Sequence, residues 1–169
     1  SQKDTPKEQQ YNEKNNDAPR HIEVQVIGDM HGNFVHLHER DCSIQRRNQK
    51  VIEEALAPGI SHDEKSKLFE TVVNAIKQMG YLGLGTLEFL YHEGSFYFME
   101  MNTRLQVEHP ITEMITRIDL VREQISVASG EKLSFDQSRI SPLGHSIECR
   151  INAEAVSYTH LRAHETEEN

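Results

Sequence analysis

The sequence has no tryptophan, only two cysteines and no long apolar run. Of its 169 residues 36% are hydrophobic, and no stretch approaches the ~18 consecutive apolar residues of a membrane helix. Residues 1–20 contain no apolar segment of the kind that a secretory signal peptide needs. We therefore expect neither secretion nor a membrane partner.

The two cysteines and the charge balance limit the compartment and the partners. Cys42 and Cys149 are too few for a disulfide framework, so they are expected to be core residues of a protein in a reducing compartment. This predicts a cytoplasmic location, with the mitochondrial matrix as the alternative. The net charge of -9 argues against nucleic acid as a partner.

Composition divides the chain into three segments. Residues 1–18 are polar and are expected to be disordered, because they bury too little surface to offset the entropy of ordering. Residues 19–154 have regular hydrophobic patterning and are expected to fold as one domain. Residues 155–169 lose that pattern.

Two predicted hairpins provide most of the strands. Residues 21–27 alternate apolar with polar side chains, and residues 34–38 return as a second strand. Residues 86–91 and 96–101 have the pattern of a second hairpin. Residues 39–54 are too polar to assign to a helix or a strand.

Two predicted helices have clear signals at their ends. Ser61 and Glu64 match a capping box, and Gly80 should end the first helix. Asp119 should cap a second helix that ends at Gly130. The first helix has an apolar stripe of Leu68, Val72, Ile76 and Met79. The residues noted along the second helix are Leu120, Val121, Gln124, Ile125 and Ala128.

Residues 146–151 alternate as a final strand. This pattern puts Ile147, Cys149 and Ile151 on one face, and Glu148 and Arg150 on the other. Hairpins and helices in turn predict an α+β domain, with helices packed on a largely antiparallel sheet.

The second hairpin carries polar side chains where a core strand should not. Glu100 and Asn102 are two residues apart and share a face, and Glu88 lies on the facing strand. Carboxylate and amide oxygens are hard ligands that suit Mg²⁺ or Mn²⁺. The alternative is a half-exposed sheet whose polar face meets water.

A shared metal requires Glu88 and Glu100 to lie on one face. Directly opposed residues of an antiparallel pair share a face. The number of residues in the loop therefore determines whether Glu88 and Glu100 lie on the same face. We predict a three-residue loop, residues 93–95, or an equivalent bulge. The same face should meet the basic segment at Lys50.

Arg104, Gln106 and Glu108 follow at a spacing of two, and Pro110 biases His109 to extended geometry. An extended segment would put all three side chains on one side, where they suit a small oxyanion and supply a general base. The alternative is an Arg–Glu pair that braces a loop.

Residues 45–50 form a basic cluster, QRRNQK. No aromatic residue interrupts the cluster, so nucleic-acid binding is a weak interpretation. A contact from Lys50 to nucleotide phosphate fits better. The alternative is a solvated surface with acidic partners at Glu39, Asp41, Glu53 and Glu54.

Five segments strongly resemble biotin carboxylases. They are PRHIEVQV (19–26), ERDCSIQRRNQK (39–50), GTLEFL (85–90), EMNTRLQVEHP (100–110) and ECRINAE (148–154). The resemblance implies the C-terminal half of an ATP-grasp domain. It implies ATP-dependent carboxylation, by bicarbonate, of biotin on a carrier protein, the first half-reaction of acetyl-CoA carboxylase.

The resemblance also implies a role for each matching residue. Glu88, Glu100 and Asn102 would hold the metal that bridges to the ATP phosphates. Glu108 resembles the catalytic base that takes the bicarbonate proton, and Arg104 the catalytic arginine that stabilises the biotin oxyanion. The other implied contacts are with nucleotide, by His21, Gln45 and Asn48, and with bicarbonate or biotin, by Lys50, Gln106, Val107 and Arg150.

The sequence departs from the family at several points. Asn48 stands where the family often has His, and Leu56 where it usually has Pro. The family's N-terminal domain, glycine-rich lid and phosphate-binding lysines precede the matching region. As an alternative to disorder, the resemblance implies that residues 1–18 are a degraded form of the family's adenine-binding hinge. Residues 156–166 resemble a translated sequencing adapter, so the tail is expected to be artefactual. We expect this chain by itself to be inactive.

The expected partners are a biotin carboxyl carrier protein, a carboxyltransferase and, at full length, a second copy of the protein. Two alternatives stay open. One is the same domain of a pyruvate, propionyl-CoA or methylcrotonyl-CoA carboxylase. The other is a non-catalytic fragment that binds metal or nucleotide.

Overall fold

The computed structural model describes residues 18–151, together with the backbone of residues 154–155 and 158–161. The predictions for residues 1–17, and for most of residues 155–169, lie outside the described residues. The elements are β1 (Arg20–Gly28), β2 (Phe34–Arg46), β3 (Gln49–Ala55), α1 (His62–Met79), β4 (Gly83–His92), β5 (Ser95–Asn102), α2 (His109–Thr116), α3 (Leu120–Ala128), β6 (Ser146–Cys149), β7 (Glu154–Ala155) and β8 (Tyr158–Leu161).

One six-stranded sheet, in the order β5-β4-β1-β2-β3-β6, forms the centre of the domain. Each pair of neighbouring strands is antiparallel, so the predicted α+β class with an antiparallel sheet is confirmed. Strands β7 and β8 pair separately. No helix in the described part of the chain has the length and apolar character needed to cross a membrane.

Both faces of β1 are buried. Ile22, Val24 and Val26 belong to the core cluster that includes the buried residues of α1, and burial of each such side chain stabilises the fold by about 1.5–3 kcal/mol. The alternating residues Glu23 and Gln25 point to the opposite face and are also fully buried. The alternation therefore separates an apolar core from a buried polar layer, and not core from solvent.

The unassigned segment 39–54 forms the end of β2, a turn and β3. Arg47 and Asn48 make the turn with φ values of 51° and 63°, a left-handed conformation in which Asn is enriched. The strands are polar because Glu39, Arg40 and Glu53 are buried in ionic contacts. A hydrophobic pattern cannot identify strands of this kind.

The prediction of extended backbone at His109 is wrong, because His109 begins α2. Pro110 lies in the first turn of that helix, where its missing N–H costs no helical hydrogen bond. Ile111 and Ile115 pack with Ala55 in a small core cluster. Helix α2 thereby covers part of the sheet next to β3.

Helix α1 has the predicted ends. Ser61 Oγ accepts a hydrogen bond from Glu64 N at 3.3 Å, and Glu64 Oε2 accepts one from Ser61 N at 2.9 Å. Gly80 ends the helix with φ 60°. Leu68, Val72 and Ile76 are buried as predicted, whereas Met79 is 58% exposed.

We expect Ser61→Ala to lower the free energy of unfolding by about 1 kcal/mol, because it removes the side-chain acceptor at the helix N-terminus. Chemical denaturation of the chain measures this change. Ser66→Ala is the matched control, because Ser66 lies within α1 and is exposed. Equal losses in the two variants would contradict the capping role.

Helix α3 packs through a different face from the one that its apolar residues indicate. In α3, Val121 and Ile125 are exposed, and the helix packs through Leu120, Glu123 and Val127. Glu123 can be buried because Ser134 donates two hydrogen bonds to its carboxylate.

In β6 the alternation is right but its apolar side faces outward. Ile147 is 57% exposed and Cys149 is also exposed, so only Cys42 is a core cysteine. The inner side of the strand carries Glu148, because it faces the polar layer of the sheet rather than an apolar core.

Candidate active site

A cavity of about 720 Å³ opens on the polar face of the sheet. Its lining includes every site residue proposed from the sequence. These residues are His21, Gln45, Asn48, Lys50, Glu88, Glu100, Asn102, Arg104, Gln106, Val107, Glu108 and Arg150, and the lining also includes Gln49 and Met99. Residues from five strands, the β2–β3 turn, the loop after β5 and the segment after β6 therefore meet at a single site.

Lys50 is the central cation of the site. Its Nζ lies 2.5 Å from Glu23 Oε2, 3.1 Å from Glu88 Oε1 and 2.6 Å from Glu108 Oε1. Burial lowers the pKa of Lys50, but the attraction of Glu23 and its other partners outweighs burial and raises the pKa. Lys50 is therefore a fixed positive charge.

Some residues of the basic cluster 45–50 line the cavity, and others lie on the surface. Arg46 and Arg47 are exposed. Of the acidic residues suggested as its partners, Glu39 contacts Lys65 at 2.7 Å and Asp41 contacts Arg20 at 2.6 Å. The solvated-surface alternative is thus wrong for Lys50.

The hairpin of β4 and β5 brings Glu88 opposite Glu100. The predicted three-residue loop is wrong, because Ser95 pairs with His92 across a two-residue turn. The predicted equivalent, a bulge, is confirmed: Phe98 pairs with Phe89, and Glu100 pairs with Glu88, so Met99 is the extra residue. The bulge restores the shared face that the turn alone would remove.

Glu88 is the anion with the most partners. His21 Nε2 lies 2.8 Å from Oε2, while Asn102 Nδ2 and Gln106 Nε2 each donate to Oε1 at 2.9 Å. Burial raises the pKa of Glu88, but the His21 hydrogen bond and the Lys50 charge outweigh it, and the pKa falls to about 2. Glu88 is thus ionised throughout the physiological pH range.

The residues proposed as metal ligands fit a hard divalent cation. Asn102 Nδ2 lies 2.9 Å from Glu88 Oε1 and 3.5 Å from Glu100 Oε1, so one amide spans both carboxylates. The same amide, turned over, would offer its oxygen beside them, giving three oxygen donors on one face. A second group that could hold a metal ion, His21, Glu23 and Glu88, was not proposed from the sequence.

The loop after β5 is not the extended segment that the spacing predicted. Gln106 and Glu108 are buried, whereas Arg104 and Val107 are exposed. Among the described residues Arg104 contacts no carboxylate, and its Nη1 donates only to Leu105 O at 3.4 Å. The alternative of an Arg104–Glu108 brace is therefore wrong, and the guanidinium lies at the rim of the cavity.

Glu108 lies between two cations. Its Oε1 is 2.6 Å from Lys50 Nζ, and its Oε2 accepts a hydrogen bond from Arg150 Nη2 at 2.9 Å. The side chain of Glu108 is 3% exposed. This carboxylate therefore lies next to a position where an anion would meet two positive groups.

The nucleotide contacts proposed from the resemblance, His21, Gln45 and Asn48, all line the cavity. Gln45 Nε2 is 3.3 Å from His21 Nδ1 and donates to Cys42 O at 2.9 Å. Asn48 is exposed in the β2–β3 turn. Met99 is the other apolar side chain, besides Val107, among the residues that line the cavity.

Three buried charged residues of the site were missed from the sequence, Glu23, Arg40 and Glu53. Arg40 is fully buried, and it donates to Glu23 at 2.7 Å, Gln25 at 2.8 Å, Thr112 at 2.8 Å and Gln106 at 3.0 Å. Burial raises the pKa of Glu23, but Arg40 and Lys50 outweigh burial and lower it. In sequence, Glu23 has the same pattern as a solvent-facing strand residue.

The domain that carries this site matches a known family. Residues 1–136 match the family described as "Carbamoyl-phosphate synthase L chain, ATP binding domain". The chain therefore belongs to this family of ATP-binding domains, and the predicted ATP-grasp class is confirmed.

Within this family the relatives of high identity include biotin carboxylases, as the sequence motifs predicted. The chain is 58% identical over 144 residues to biotin carboxylase from Allochromatium vinosum, covering 85% of this chain and 32% of that protein. It is also 58% identical over 144 residues to a pyruvate carboxylase subunit from Methanothermobacter thermautotrophicus, covering 85% of this chain and 29% of that protein.

A solved structure supports the same family assignment. The biotin carboxylase domain dimer of Hydrogenobacter thermophilus 2-oxoglutarate carboxylase, in complex with MgADP, ADP and bicarbonate, superposes with a TM-score of 0.78 at 55% identity. The match covers 80% of this chain and 30% of that one. The chain thus spans about a third of the length of the relatives that it matches.

Proposed function

We propose that this domain supplies the metal- and bicarbonate-binding part of a biotin carboxylase, which uses ATP and bicarbonate to carboxylate biotin on a carrier protein. The observation that carries the proposal is the placement of Glu108 between Lys50 and Arg150. A base held between two cations, next to the paired carboxylates Glu88 and Glu100, suits an anionic substrate that must lose a proton.

Bicarbonate binding uses the cationic end of the cavity. Lys50 and Arg150 would attract the anion, with Gln106 and the backbone of Val107 as further contacts. Glu108 accepts the bicarbonate proton, and the freed oxygen is then available to attack a phosphoryl group. Because Glu108 is held by its neighbours, little reorganisation is needed at this step.

The nucleotide end would hold ATP through His21, Gln45 and Asn48. Glu88, Glu100 and Asn102 would hold Mg²⁺ or Mn²⁺. When bound, such an ion neutralises charge on the phosphate oxygens during transfer. The Hydrogenobacter relative, whose structure contains MgADP and bicarbonate, supports this assignment.

Arg104 would act in the second step, the transfer of the carboxyl group to biotin. Its guanidinium is exposed at the cavity rim and has no carboxylate partner among the described residues. It can therefore stabilise the oxyanion that develops on biotin when the ureido nitrogen loses its proton. Glu108, by contrast, is committed to the bicarbonate end.

The partners of the whole protein are part of the proposal. They are a biotin carboxyl carrier protein, a carboxyltransferase and a second copy of the protein, in the cytoplasm or alternatively the mitochondrial matrix. An acetyl-CoA carboxylase is the first candidate, and the Methanothermobacter relative favours a pyruvate carboxylase as the second. Assaying the native carboxyltransferase partner with acetyl-CoA and with pyruvate distinguishes them.

A chimera tests the activity. Residues 20–151 replace the corresponding segment of Allochromatium vinosum biotin carboxylase, and ATP hydrolysis is measured with and without bicarbonate and biotin. We expect hydrolysis that depends on bicarbonate and is lost in a Glu108→Gln chimera. A folded chimera that binds ATP but shows no bicarbonate-dependent hydrolysis would contradict the proposal and favour a non-catalytic binding domain.

A further inference from the structure

Glu53 is a fully buried carboxylate of β3 that lies behind the cavity and does not line it. Its backbone pairs with Glu148 of β6, and Arg150 follows directly after that strand. Arg150 N donates to Val51 O at 2.9 Å, which continues the pairing of the two segments. The sheet therefore brings Arg150 next to Glu53 through backbone hydrogen bonds alone.

One nitrogen of Arg150 connects two carboxylates. Nη2 lies 2.6 Å from Glu53 Oε1 and 2.9 Å from Glu108 Oε2. Glu53 contacts Arg150 from the buried side, whereas Glu108 and Arg150 both face the cavity. The guanidinium is thus held by Glu53 on its buried side and by Glu108 on the side of the cavity.

Arg150 is the only cation within 4 Å of the Glu53 carboxylate among the described residues. Apart from Arg150, neither oxygen of Glu53 has a hydrogen-bond partner in the same part of the chain. Burial raises the pKa of Glu53, Arg150 opposes this change, and Glu108 and Glu148 add to it. Because a buried ion pair of this kind adds little to stability, a role in the site explains Glu53 better than a role in the core.

We propose that Glu53 is a positioning residue, which holds the Arg150 guanidinium so that it makes only one contact with Glu108 and stays available to the bicarbonate anion. Arginine and carboxylate side chains otherwise form two parallel hydrogen bonds. Without Glu53, Arg150 would close onto Glu108 in that way, which would occupy both the base and the anion-binding cation. This inference rests on the proposed function.

The test uses the same chimera with Glu53→Gln, which keeps the shape and removes the charge. We expect kcat/KM for bicarbonate to fall about 10- to 100-fold, as for other residues that orient a ligand-binding side chain, with the KM for ATP unchanged. Glu54→Gln is the matched control, because Glu54 contacts His145 at 3.0 Å and lies outside the cavity. It should leave both constants unchanged.

A double variant tests whether Glu53 acts through Arg150. Adding Glu53→Gln to Arg150→Gln should cause no further loss, because the residue that Glu53 positions is already absent. Additive losses, or equal losses in bicarbonate and ATP dependence, would overturn the inference. If Glu53→Gln does not fold, Glu53→Asp keeps the charge but shortens the reach, and it should show the same selective loss.

A measurement on the chain itself separates this inference from the proposed function. In ¹⁵N NMR spectra of the 169-residue chain, the Arg150 Nη–H signals should exchange with water faster in Glu53→Gln than in the parent or in Glu54→Gln, because Nη2 is the nitrogen that contacts Glu53. Equal exchange in all three would overturn the positioning role. An inactive parent chimera would instead count against the proposed function and leave this NMR result to decide the role of Glu53.

Discussion

Arg104→Ala in the full-length chimera is expected to lower carboxyl transfer to biotin about 10²- to 10³-fold, with ATP affinity nearly unchanged. Losing one fixed donor to a developing oxyanion costs roughly 3–4 kcal/mol of transition-state stabilisation. Arg104 is exposed at the cavity rim, and its one side-chain hydrogen bond in the described part of the chain goes to Leu105 O. Its removal should therefore leave the rest of the site intact. Steady-state kinetics with free biotin measures the effect.

Arg46→Ala is the control for this variant, because Arg46 is an exposed arginine that does not line the cavity. It should change neither turnover nor ATP affinity. If Arg104→Ala lowers ATP affinity and turnover by the same factor, Arg104 is a structural residue and not the catalytic arginine. A further readout is bicarbonate-dependent ATP hydrolysis without biotin, which should remain largely unchanged in Arg104→Ala.

Arg40→Ala should have the largest effect on stability, a loss of about 3–5 kcal/mol in the free energy of unfolding. Arg40 is fully buried and is 2.7 Å from Glu23, so its removal leaves a buried carboxylate with one fewer counter-charge. Removing one partner of a buried ion pair typically costs this much. Equilibrium unfolding of the chain in urea measures the loss.

Two comparisons make the Arg40 result specific. Arg46→Ala removes an exposed charge and should change the free energy of unfolding by no more than about 0.5 kcal/mol. Replacing Arg40 and Glu23 together by Met and Leu should cost less than Arg40→Ala, because no unpaired charge remains. A double variant as unstable as the sum of the single variants would show that Arg40 acts through its other contacts, Gln25, Thr112 and Gln106.

The β4–β5 hairpin shows how far local sequence can determine a site. The pattern around Glu93 and Gly94 predicted the turn, and the requirement for a shared metal predicted that Glu88 and Glu100 face the same side. The structure meets that requirement with a bulge at Met99 and a two-residue turn. The sequence could therefore predict that a bulge or an odd loop is needed, but not where the bulge lies.

Helix α2 shows the opposite case. Pro110 is compatible with two local structures: it favours extended backbone at the residue before it, and it is also favoured in the first turn of a helix. Ile111 and Ile115 pack against Ala55, which is distant in sequence. These contacts favour the helix over the extended backbone. Local preference was therefore insufficient because the decisive energy comes from tertiary packing.

The sequence by itself determined the elements with local signals and the identity of the site residues. The capping box at Ser61, the end of α1 at Gly80 and the cap at Asp119 depend on hydrogen bonds within a few residues. The motifs that resemble biotin carboxylases also indicated the residues that line the cavity. These conclusions needed no knowledge of distant contacts.

Only the tertiary structure decided which polar side chains are buried and what they contact. Glu23 has the sequence pattern of a solvent-facing strand residue, and Arg40 and Glu53 lie in a segment too polar to assign, yet each is fully buried. Their burial is possible because strands separated along the chain bring opposite charges within 3 Å of one another. Charge burial depends on these long-range partners, and the spacing of residues along one strand contains no information about them.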